Sequence, residues 1–386
     1  MVASSIYLPN ILRIGAGASG QLAEVLAELG ASRPMLVTDP FMQQCGYVDR
    51  IVQCLKDGAI EHGVFADCVP DPTTDSVAAA VRYWQQGDFD AVVALGGGSS
   101  IDTAKAVAVL AIHGGAMRDY KAPNPVPVGA PIIAIPTTAG TGSEATRVTV
   151  VTDTETQEKM MCLGVGLMPS AALVDFELTM SMPYRLTADT GIDSLCHAME
   201  AYVSRKANTF TDSIALASMS AIARHIRSAC DEPDNRAARE AMMLAATQGG
   251  MAFSNASVTL IHGMSRPLGA FFHVPHGLSN AMLMPQLTEF SLPGATQRYA
   301  DCARAMGLAS AADSDKAAGI ALLDGLYQLN ADLSVPSPQA YGIDNSRYMS
   351  VISTMAQQAL ASGSPNNNPL IPDQQQIEAL YSSVWQ

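Results

Sequence analysis

The feature that most constrains the fold is an alternation of short apolar runs with helix-length segments in the first half of the chain. Runs of strand length occupy residues 34–38, 59–66, 90–95, 132–135 and 171–175. Leu, Val and Ala at helical spacing predict helices over residues 21–29, 41–57, 74–86 and 101–111. Apolar strands joined by helices predict a parallel sheet covered by helices on both faces.

Two segments depart from this alternation. Residues 5–15 predict extended structure at the start of the chain, and a polar run over 153–159 separates the apolar residues 148–152 from a second apolar piece. Such a pattern predicts a β-hairpin.

The character of the sequence changes near residues 180–187. From about Pro183 onward, Ala, Met, Leu and Ser recur at helical spacing and β-branched runs become rare. A chain of 386 residues is also long enough for two cores. We therefore predict an α/β dinucleotide-binding domain over residues 1–184 and an all-helical metal-binding and substrate domain over residues 185–386.

Composition excludes several classes of protein. A net charge of −14 argues against nucleic acid or an anionic membrane surface as the main partner. No stretch approaches the roughly 20 apolar residues that cross a bilayer, and the N-terminal residues do not resemble a signal peptide. The seven cysteines are scattered and contain no C-x-x-C pair. This usage predicts reduced thiols in a cytoplasmic protein.

Two glycine clusters compete as the place where a dinucleotide would bind. Gly15, Gly17 and Gly20 match the G-x-G-x-x-G fingerprint, and Asp39 follows nineteen residues after Gly20. The segment before them is broken by Pro9 and is a poor central strand. We favour the interpretation that this first cluster is only a turn into the first helix.

The second cluster, Gly96 to Ser99, lies directly between an apolar strand and a helix. Glycines there allow a pyrophosphate to approach the backbone, and the helix dipole favours negative charge. Asp102 and Lys105 on this helix either belong to the site or form a surface ion pair. Asp39, at the end of its strand, is placed to bind an adenosine ribose and would repel a 2′-phosphate, which favours NAD over NADP.

A second loop that could bind phosphate follows the next strand. Its residues carry hydroxyl groups or lack side chains, and they are Thr137, Thr138, Gly140, Thr141, Gly142 and Ser143. In a parallel sheet, nucleotides bind in the crevice at the carboxyl ends of neighbouring strands. The two loops together predict that crevice.

Four side chains in the second half could bind a metal. Asp193 and His197 are four residues apart and share one helix face. His262 and His276 lie in similar apolar surroundings. One carboxylate and three imidazoles suit zinc or iron. Ordinary half-buried histidines remain the alternative, because no short motif joins the distant pair to the first two.

Together these stretches resemble the iron-dependent (group III) alcohol dehydrogenase family, which includes lactaldehyde–propanediol oxidoreductases and hydroxyacid–oxoacid transhydrogenases. The resemblance is carried, in the family's order, by residues 96–105, 136–144, 193–200 and 262–277. It implies a Rossmann-like parallel-sheet domain followed by a helical domain, as in the dehydroquinate synthase-like fold. It also implies NAD in the cleft between the domains, one Fe2+ or in some members Zn2+, and a homodimer often joined through the N-terminal strand.

The resemblance assigns roles residue by residue. The implied metal ligands are Asp193, His197, His262 and His276. The implied cofactor residues are Gly97, Gly98 and Ser99 on the pyrophosphate with Asp102 beside them, Thr138 and Thr141 in the cleft, Lys159 on the ribose, and Asp39 on the adenosine ribose. Phe253 matches a position that faces the substrate.

The sequence departs from the family at two places. Arg266 stands where many members have a histidine that helps to relay a proton. Arginine stays protonated and cannot do this, but it could hold an anionic group, face solvent or form a structural ion pair. His273 could take over the proton transfer, or support a ligand instead. Asp71 replaces the usual asparagine, which leaves one loop contact near the cofactor open.

The resemblance implies reversible hydride transfer between a small alcohol and NAD(H), with the metal acting as a Lewis acid on the alcohol oxygen. One alternative is a dehydrogenase or transhydrogenase for hydroxyacids such as 4-hydroxybutyrate, with Arg266 holding the anionic substrate. Polyol oxidation, as in glycerol dehydrogenases, is disfavoured because that branch uses fewer histidine ligands. A metal- or nucleotide-binding sensor that has lost activity is the non-enzymatic alternative.

Overall fold

The computed structural model describes residues 3–156 and 158–386. Met1 and Val2, in the segment for which no signal peptide is predicted, lie outside the described residues, as does Gln157 in the polar run of the predicted hairpin. The chain divides into two compact units, one of Ser5–Met182 and one of Pro183–Gln386 together with residues 3–4.

The first unit is built on a parallel sheet. Its strands are β1 (Ile11–Ile14), β2 (Pro34–Val37), β3 (Gly63–Phe65), β4 (Ala91–Gly96), β5 (Ile132–Pro136), β6 (Val148–Thr152), β7 (Lys159–Leu163) and β8 (Ala171–Val174). Six of them form one sheet in the order β1-β8-β5-β4-β2-β3, and every neighbouring pair is parallel. β6 and β7 form a separate antiparallel hairpin. The predicted parallel sheet and hairpin are confirmed.

Helices cover both faces of this sheet. They are α1 (Leu22–Glu28), α2 (Pro40–Gln44), α3 (Tyr47–Asp57), α4 (Thr74–Trp84) and α5 (Gly98–His113), and short 3-10 turns occur at Ala18–Gln21, Met117–Tyr120, Ser143–Ala145, Val165–Leu167 and Phe176–Thr179. Along β4, Val93 and Leu95 pack into one buried cluster, while Val92 and Ala94 pack into the cluster on the other face. This two-residue alternation places apolar side chains on both sides of a buried strand.

Two predicted elements in this unit were wrong in extent. The single helix expected over 41–57 is split into α2 and α3 by Gly46, whose φ of 75° is left-handed and ends a helix. The strand expected over 59–66 is only three residues long. Its first part instead completes the end of α3, where Ile60 N–H donates to the carbonyl of Leu55 at 2.9 Å.

The start of α5 also differs from the prediction. The helix begins at Gly98 rather than at Ile101, with Gly97 as its N-terminal capping residue. The glycine cluster therefore forms the first turn of the helix itself. Unbonded N–H groups of such a turn, together with the helix dipole, attract anions.

The second unit is all-helical in the residues described. Its helices are α6 (Tyr184–Val203), α7 (Thr209–Asp231), α8 (Arg236–Ala256), α9 (Leu260–Phe272), α10 (His276–Ser291), α11 (Thr296–Ala305), α12 (Asp315–Asp332), α13 (Pro338–Tyr341), α14 (Asn345–Ala361) and α15 (Gln374–Ser383), with 3-10 turns at Leu292–Gly294 and Ser364–Asn367. Within residues 3–156 and 158–386, no helix combines the length and apolar character needed to cross a membrane.

Helix α6 is the centre of the second unit. From Thr187 to Val203 every residue except Thr190 is buried, and the helix packs against α7, α8 and α10. A helix enclosed in this way must carry its polar residues into the interior, where each one requires a partner. The buried polar residues of α6 are therefore candidates for a functional site.

Candidate metal centre and nucleotide loop

Two of the four candidate ligands lie one turn apart on α6. Asp193 is 2% exposed and His197 is 5% exposed. His197 Nε2 lies 3.8 Å from Asp193 Oδ1, as the four-residue spacing predicts. His197 Nδ1 is buried and has no hydrogen-bond partner among the described residues.

The other two candidates come from α9 and α10. His262 is in the first turn of α9, and His276 is the first residue of α10. Their Nε2 atoms lie 3.3 Å and 3.7 Å from Asp193 Oδ1. The four side chains each offer a donor atom, and these atoms all lie within 4.8 Å of one another. Segments that are distant in sequence thus converge on one carboxylate.

This donor set fits a divalent transition metal. Ligands at about 2.1 Å from a tetrahedral ion are roughly 3.4 Å from each other, and the three distances from Asp193 Oδ1 are 3.3, 3.7 and 3.8 Å. Imidazole and carboxylate together suit iron and zinc. The His276 side chain is 42% exposed, so the cluster is open on that side.

The charge states of Asp193 and His197 also favour metal binding. Burial would raise the pKa of Asp193, but the three nearby imidazoles hold that pKa below its usual range. Burial lowers the pKa of His197 to about 3, and the charge of Asp193 offsets this only in part. Asp193 is therefore ionised and His197 neutral near pH 7, and both have the lone pairs that metal coordination requires.

Two further residues contact the cluster and were missed by the sequence reasoning. Asn280 Nδ2 donates to Asp193 Oδ1 at 2.6 Å and lies 3.2 Å from His262 Nε2 and 3.3 Å from His276 Nε2. Glu200 accepts a short hydrogen bond from His262 Nδ1. Helical spacing places Asn280 one turn after His276 and Glu200 one turn after His197, but spacing alone does not show that they contact Asp193 and His262.

Phe253, predicted to face the substrate, lies against a candidate ligand. Its ring stacks on that of His197, with centroids 4.2 Å apart and planes inclined by 21°. Phe253 is on α8 and only partly buried. It forms an apolar wall beside the cluster.

Arg266 and His273, the two candidate catalytic residues, lie in different surroundings. Arg266 is partly buried, and its Nη1 donates to Ser364 Oγ at 3.1 Å. Burial lowers the pKa of Arg266, and the charge of Glu200 partly offsets this. Within the described residues no carboxylate forms an ion pair with it. His273 is exposed in a left-handed conformation (φ 54°) at the end of α9 and is outside the four-ligand cluster.

The sheet unit brings its two predicted loops together. A Cβ on Gly97 would lie 3.2 Å from Thr138 Cγ2, and one on Gly98 would lie 2.9 Å from Thr141 Cγ2. The glycines therefore allow the first turn of α5 to pack against the threonine loop that follows β5. Both loops lie at the carboxyl ends of neighbouring parallel strands, where nucleotides bind in sheets of this kind.

Three more of the predicted cofactor residues lie at the same edge. Ser99 Oγ accepts from the backbone N–H of Asp71 at 3.2 Å, and Asp71 pairs with Lys159 at 3.1 Å. Asp39 accepts from Met42 N–H at 3.1 Å and from Ser100 Oγ at 3.2 Å. Asp71, which replaces the asparagine usual in the family, thus forms an ion pair with Lys159 next to the glycine turn.

Asp102 and Lys105 do not form a surface ion pair. Lys105 is fully buried, and its Nζ donates to Ser143 Oγ, to the hydroxyl and carbonyl oxygens of Thr146, and to the carbonyl of Val148 at 2.7–3.0 Å. Asp102 accepts from Ser143 Oγ at 2.8 Å and from Val150 N–H at 2.9 Å. Together the two side chains tie α5 to the loop that follows β5 and to β6.

The first glycine cluster binds an internal carboxylate. Asp175, fully buried, accepts from Gly17 N–H at 3.2 Å, from Ser19 N–H at 3.3 Å and from Ser19 Oγ at 2.6 Å. The N–H groups that a pyrophosphate would need are already bonded. This favours the interpretation of Gly15, Gly17 and Gly20 as a structural turn.

Comparison with known proteins identifies the family of this chain. Residues 9–176 match the family described as iron-containing alcohol dehydrogenase, and residues 187–385 match the C-terminal part of the Fe-containing alcohol dehydrogenase family. The NAD-dependent methanol dehydrogenase of Bacillus methanolicus is 35% identical over 87% of this chain and 89% of its own length. Long-chain-alcohol dehydrogenase 1 of Geobacillus thermodenitrificans is 36% identical over 100% of this chain and 98% of its own.

A solved structure extends the likeness to the fold. The crystal structure of a 1,3-propanediol oxidoreductase superposes with a TM-score of 0.95 at 32% identity, over 99% of this chain and 100% of the other. The resemblance found in the sequence motifs is confirmed along both halves. The chain belongs to the iron-containing alcohol dehydrogenase family.

Proposed function

We propose that this protein is a metal-dependent alcohol dehydrogenase and aldehyde reductase that transfers a hydride between a small alcohol and NAD(H). The observation that carries the proposal is the convergence of Asp193, His197, His262 and His276, whose donor atoms lie within 4.8 Å of one another. Fe2+ is the proposed metal, with Zn2+ as the substitute. When bound, it supplies Lewis acidity to the alcohol oxygen.

The residues around the cluster prepare the site for this chemistry. Asp193 would neutralise part of the charge of a bound metal, while the imidazoles would complete the donor set. Phe253 covers His197 with an apolar ring, so that a small alcohol would be held against a wall that excludes water. The exposed side of His276 leaves room for the substrate to enter.

The cofactor residues are proposed in the sheet unit. Gly97, Gly98 and Ser99 would hold the pyrophosphate at the start of α5, with Asp102 beside it, Thr138 and Thr141 in the loop that follows β5, and Lys159 on the ribose. Asp39 would accept hydrogen bonds from the adenosine ribose and repel a 2′-phosphate. The NAD-dependent relative supports the choice of NAD over NADP.

Proton transfer is assigned to His273 in this proposal. Arg266 occupies the position of the usual histidine but stays protonated. His273 is exposed and lies three residues before His276, and an imidazole is a common general acid or base.

A second candidate substrate class follows from Arg266. The guanidinium is partly buried, donates to the Ser364 hydroxyl, and has no carboxylate ion-pair partner within the described residues. A partly buried guanidinium without a carboxylate partner favours an anionic group on the substrate. A hydroxyacid dehydrogenase or transhydrogenase acting on 4-hydroxybutyrate-type substrates would use it in this way.

We also propose the setting in which the enzyme works. All seven cysteines are free thiols, which supports a cytoplasmic location. The family resemblance supports a homodimer. Residues 1–184 would serve as the dinucleotide-binding domain and residues 185–386 as the metal and substrate domain, in keeping with the division of the fold after Met182.

The test is an NADH absorbance assay on metal-free protein reloaded with Fe2+, Zn2+ or no metal. The substrates are ethanol, 1,2-propanediol, 1,3-propanediol and 4-hydroxybutyrate, with the matching aldehydes in reverse. The proposal predicts metal-dependent turnover of a neutral alcohol with NAD+. Turnover of 4-hydroxybutyrate alone would support the second candidate, and bound metal and NAD+ without any turnover would support a sensor.

A further inference from the structure

Glu200 is a buried carboxylate for which the ligand set leaves no role. It is 1% exposed on α6, seven residues after Asp193 and three after His197. At this spacing the three side chains lie on one face of the helix. A carboxylate so deeply buried is tolerated only when its oxygens are hydrogen-bonded.

One oxygen of Glu200 holds the beginning of α9. Glu200 Oε1 accepts from Ile261 N–H at 2.7 Å, from Thr259 Oγ1 at 2.8 Å and from His262 N–H at 3.4 Å. Thr259 is the N-cap residue of α9, but its own side chain makes no capping hydrogen bond to that helix. Glu200 therefore bonds the free N–H groups of the first turn, as a capping side chain would.

The other oxygen holds the imidazole. Glu200 Oε2 accepts a short hydrogen bond from His262 Nδ1. With Nδ1–H fixed in this way, His262 Nε2 is directed toward Asp193 Oδ1, 3.3 Å away. Metal-binding histidines in general donate their second N–H to a carboxylate or carbonyl, which sets the tautomer and the ring orientation.

We propose that Glu200 is the positioning residue of the metal centre, fixing both the backbone and the tautomer of His262. This inference rests on the proposed function. Through Glu200, helix α6 controls three of the four ligands, two directly and His262 through its hydrogen bonds. The two buried carboxylates, Asp193 and Glu200, also balance the double charge of one divalent cation.

The test replaces the carboxylate by a carboxamide of the same shape. In Glu200→Gln, the amide oxygen can face the α9 N–H groups or His262 Nδ1, but not both. If the oxygen faces the helix, the amide N–H2 faces Nδ1 and forces the proton of His262 onto Nε2, where it blocks coordination. Titration of metal-free protein with Co2+, followed by visible absorption, should show an affinity about 10–100-fold below that of the wild type.

The matched control is Asp175→Asn. Asp175 is also a fully buried carboxylate that bonds backbone N–H groups, but it lies in the sheet unit. This variant should lower the midpoint of thermal unfolding and leave Co2+ affinity unchanged. Wild-type affinity in Glu200→Gln would overturn the inference while leaving the metal centre intact. A wild-type protein that binds no Co2+ would instead overturn the proposed function and the inference with it.

A measurement on the wild-type protein tests the tautomer of His262 even if Glu200→Gln does not fold. Nitrogen-15 NMR of histidine-labelled, Zn2+-loaded protein reports which ring nitrogen carries the proton. The inference predicts that His262 keeps its proton on Nδ1 and binds the metal through Nε2. Coordination through Nδ1, or a His262 that is not coordinated, would overturn it.

Discussion

The α-carbon of Gly277 lies against the backbone carbonyl of Asp189, so closely that a Cβ at position 277 would be 2.4 Å from that oxygen. This contact joins the first turn of α10 to α6, and it holds His276 beside Asp193. Only a residue without a side chain allows the two helices to approach in this way. The geometry of the fourth ligand therefore depends on a glycine next to it.

We predict that Gly277→Ala moves α10 away from α6 and weakens metal binding. The added methyl group would overlap a backbone atom that cannot move alone, so Co2+ affinity should fall at least about tenfold and stability by roughly 1–3 kcal/mol. Gly20→Ala is the control, because a Cβ there meets no atom within 4 Å. Unchanged Co2+ affinity in Gly277→Ala would show that the contact is not needed for the site.

Asp193→Asn should abolish metal-dependent turnover with little change in shape. The only anionic donor of the four is lost, and the Lewis-acid contribution of several kcal/mol with it, so kcat/KM should drop more than about 100-fold. Asp189→Asn, one turn earlier on α6, is the control. It weakens the ion pair with Arg185 and should reduce stability while the protein keeps its metal, as measured by metal analysis.

The buried Lys105 predicts a specific dependence of stability on pH. Burial lowers the pKa of Lys105 from 10.5 to about 8, with the charges of Asp102 and Glu144 opposing the shift. Between these values the unfolded chain binds more protons than the folded protein, so this residue makes the free energy of unfolding rise as the pH rises from 8 to 10.5.

Comparison with Lys105→Met removes the titration of Lys105, while groups that do not interact with Lys105 titrate equally in both proteins. The stability difference between variant and wild type should change by on the order of 3 kcal/mol across this interval. Urea unfolding at several pH values measures it. A difference that stays constant with pH would contradict a lowered pKa for Lys105.

Gly98→Ala should weaken NADH binding without affecting the metal. A Cβ at Gly98 would lie 2.9 Å from Thr141 Cγ2 and would push the first turn of α5 away from the threonine loop. We expect NADH affinity, followed by fluorescence, to fall about tenfold or more, while Co2+ affinity in the helical unit is retained. Gly20→Ala should leave NADH affinity unchanged, and a loss there would assign the nucleotide to the first glycine cluster instead.

The layered fold could be predicted because the sequence patterns that indicate its strands and helices are local. Apolar strands such as 91–96 and helices with regular spacing can be recognised without knowledge of their neighbours. Gly46 was missed as a break between α2 and α3, because a glycine within a helical pattern is often tolerated. Helix boundaries depend on such single conformations, which periodicity does not reveal.

In the candidate site, too, local patterns could be predicted from the sequence, whereas contacts between helices could not. The ligand pair on α6 follows from four-residue spacing, the two distant histidines were candidates from their apolar surroundings, and the family motifs linked them to that pair. Glu200 and Asn280 were missed because their importance depends on contacts with His262 and Asp193 across different helices. No spacing within one segment reports such contacts.

The most direct test of the central claim is diffraction at the metal absorption edge from crystals of the protein loaded with Fe2+ or Zn2+. We predict one anomalous peak at bonding distance, about 2.0–2.2 Å, from one donor atom each of Asp193, His197, His262 and His276. A metal-loaded crystal with no peak among these side chains, or with a peak bound only elsewhere, would contradict the account.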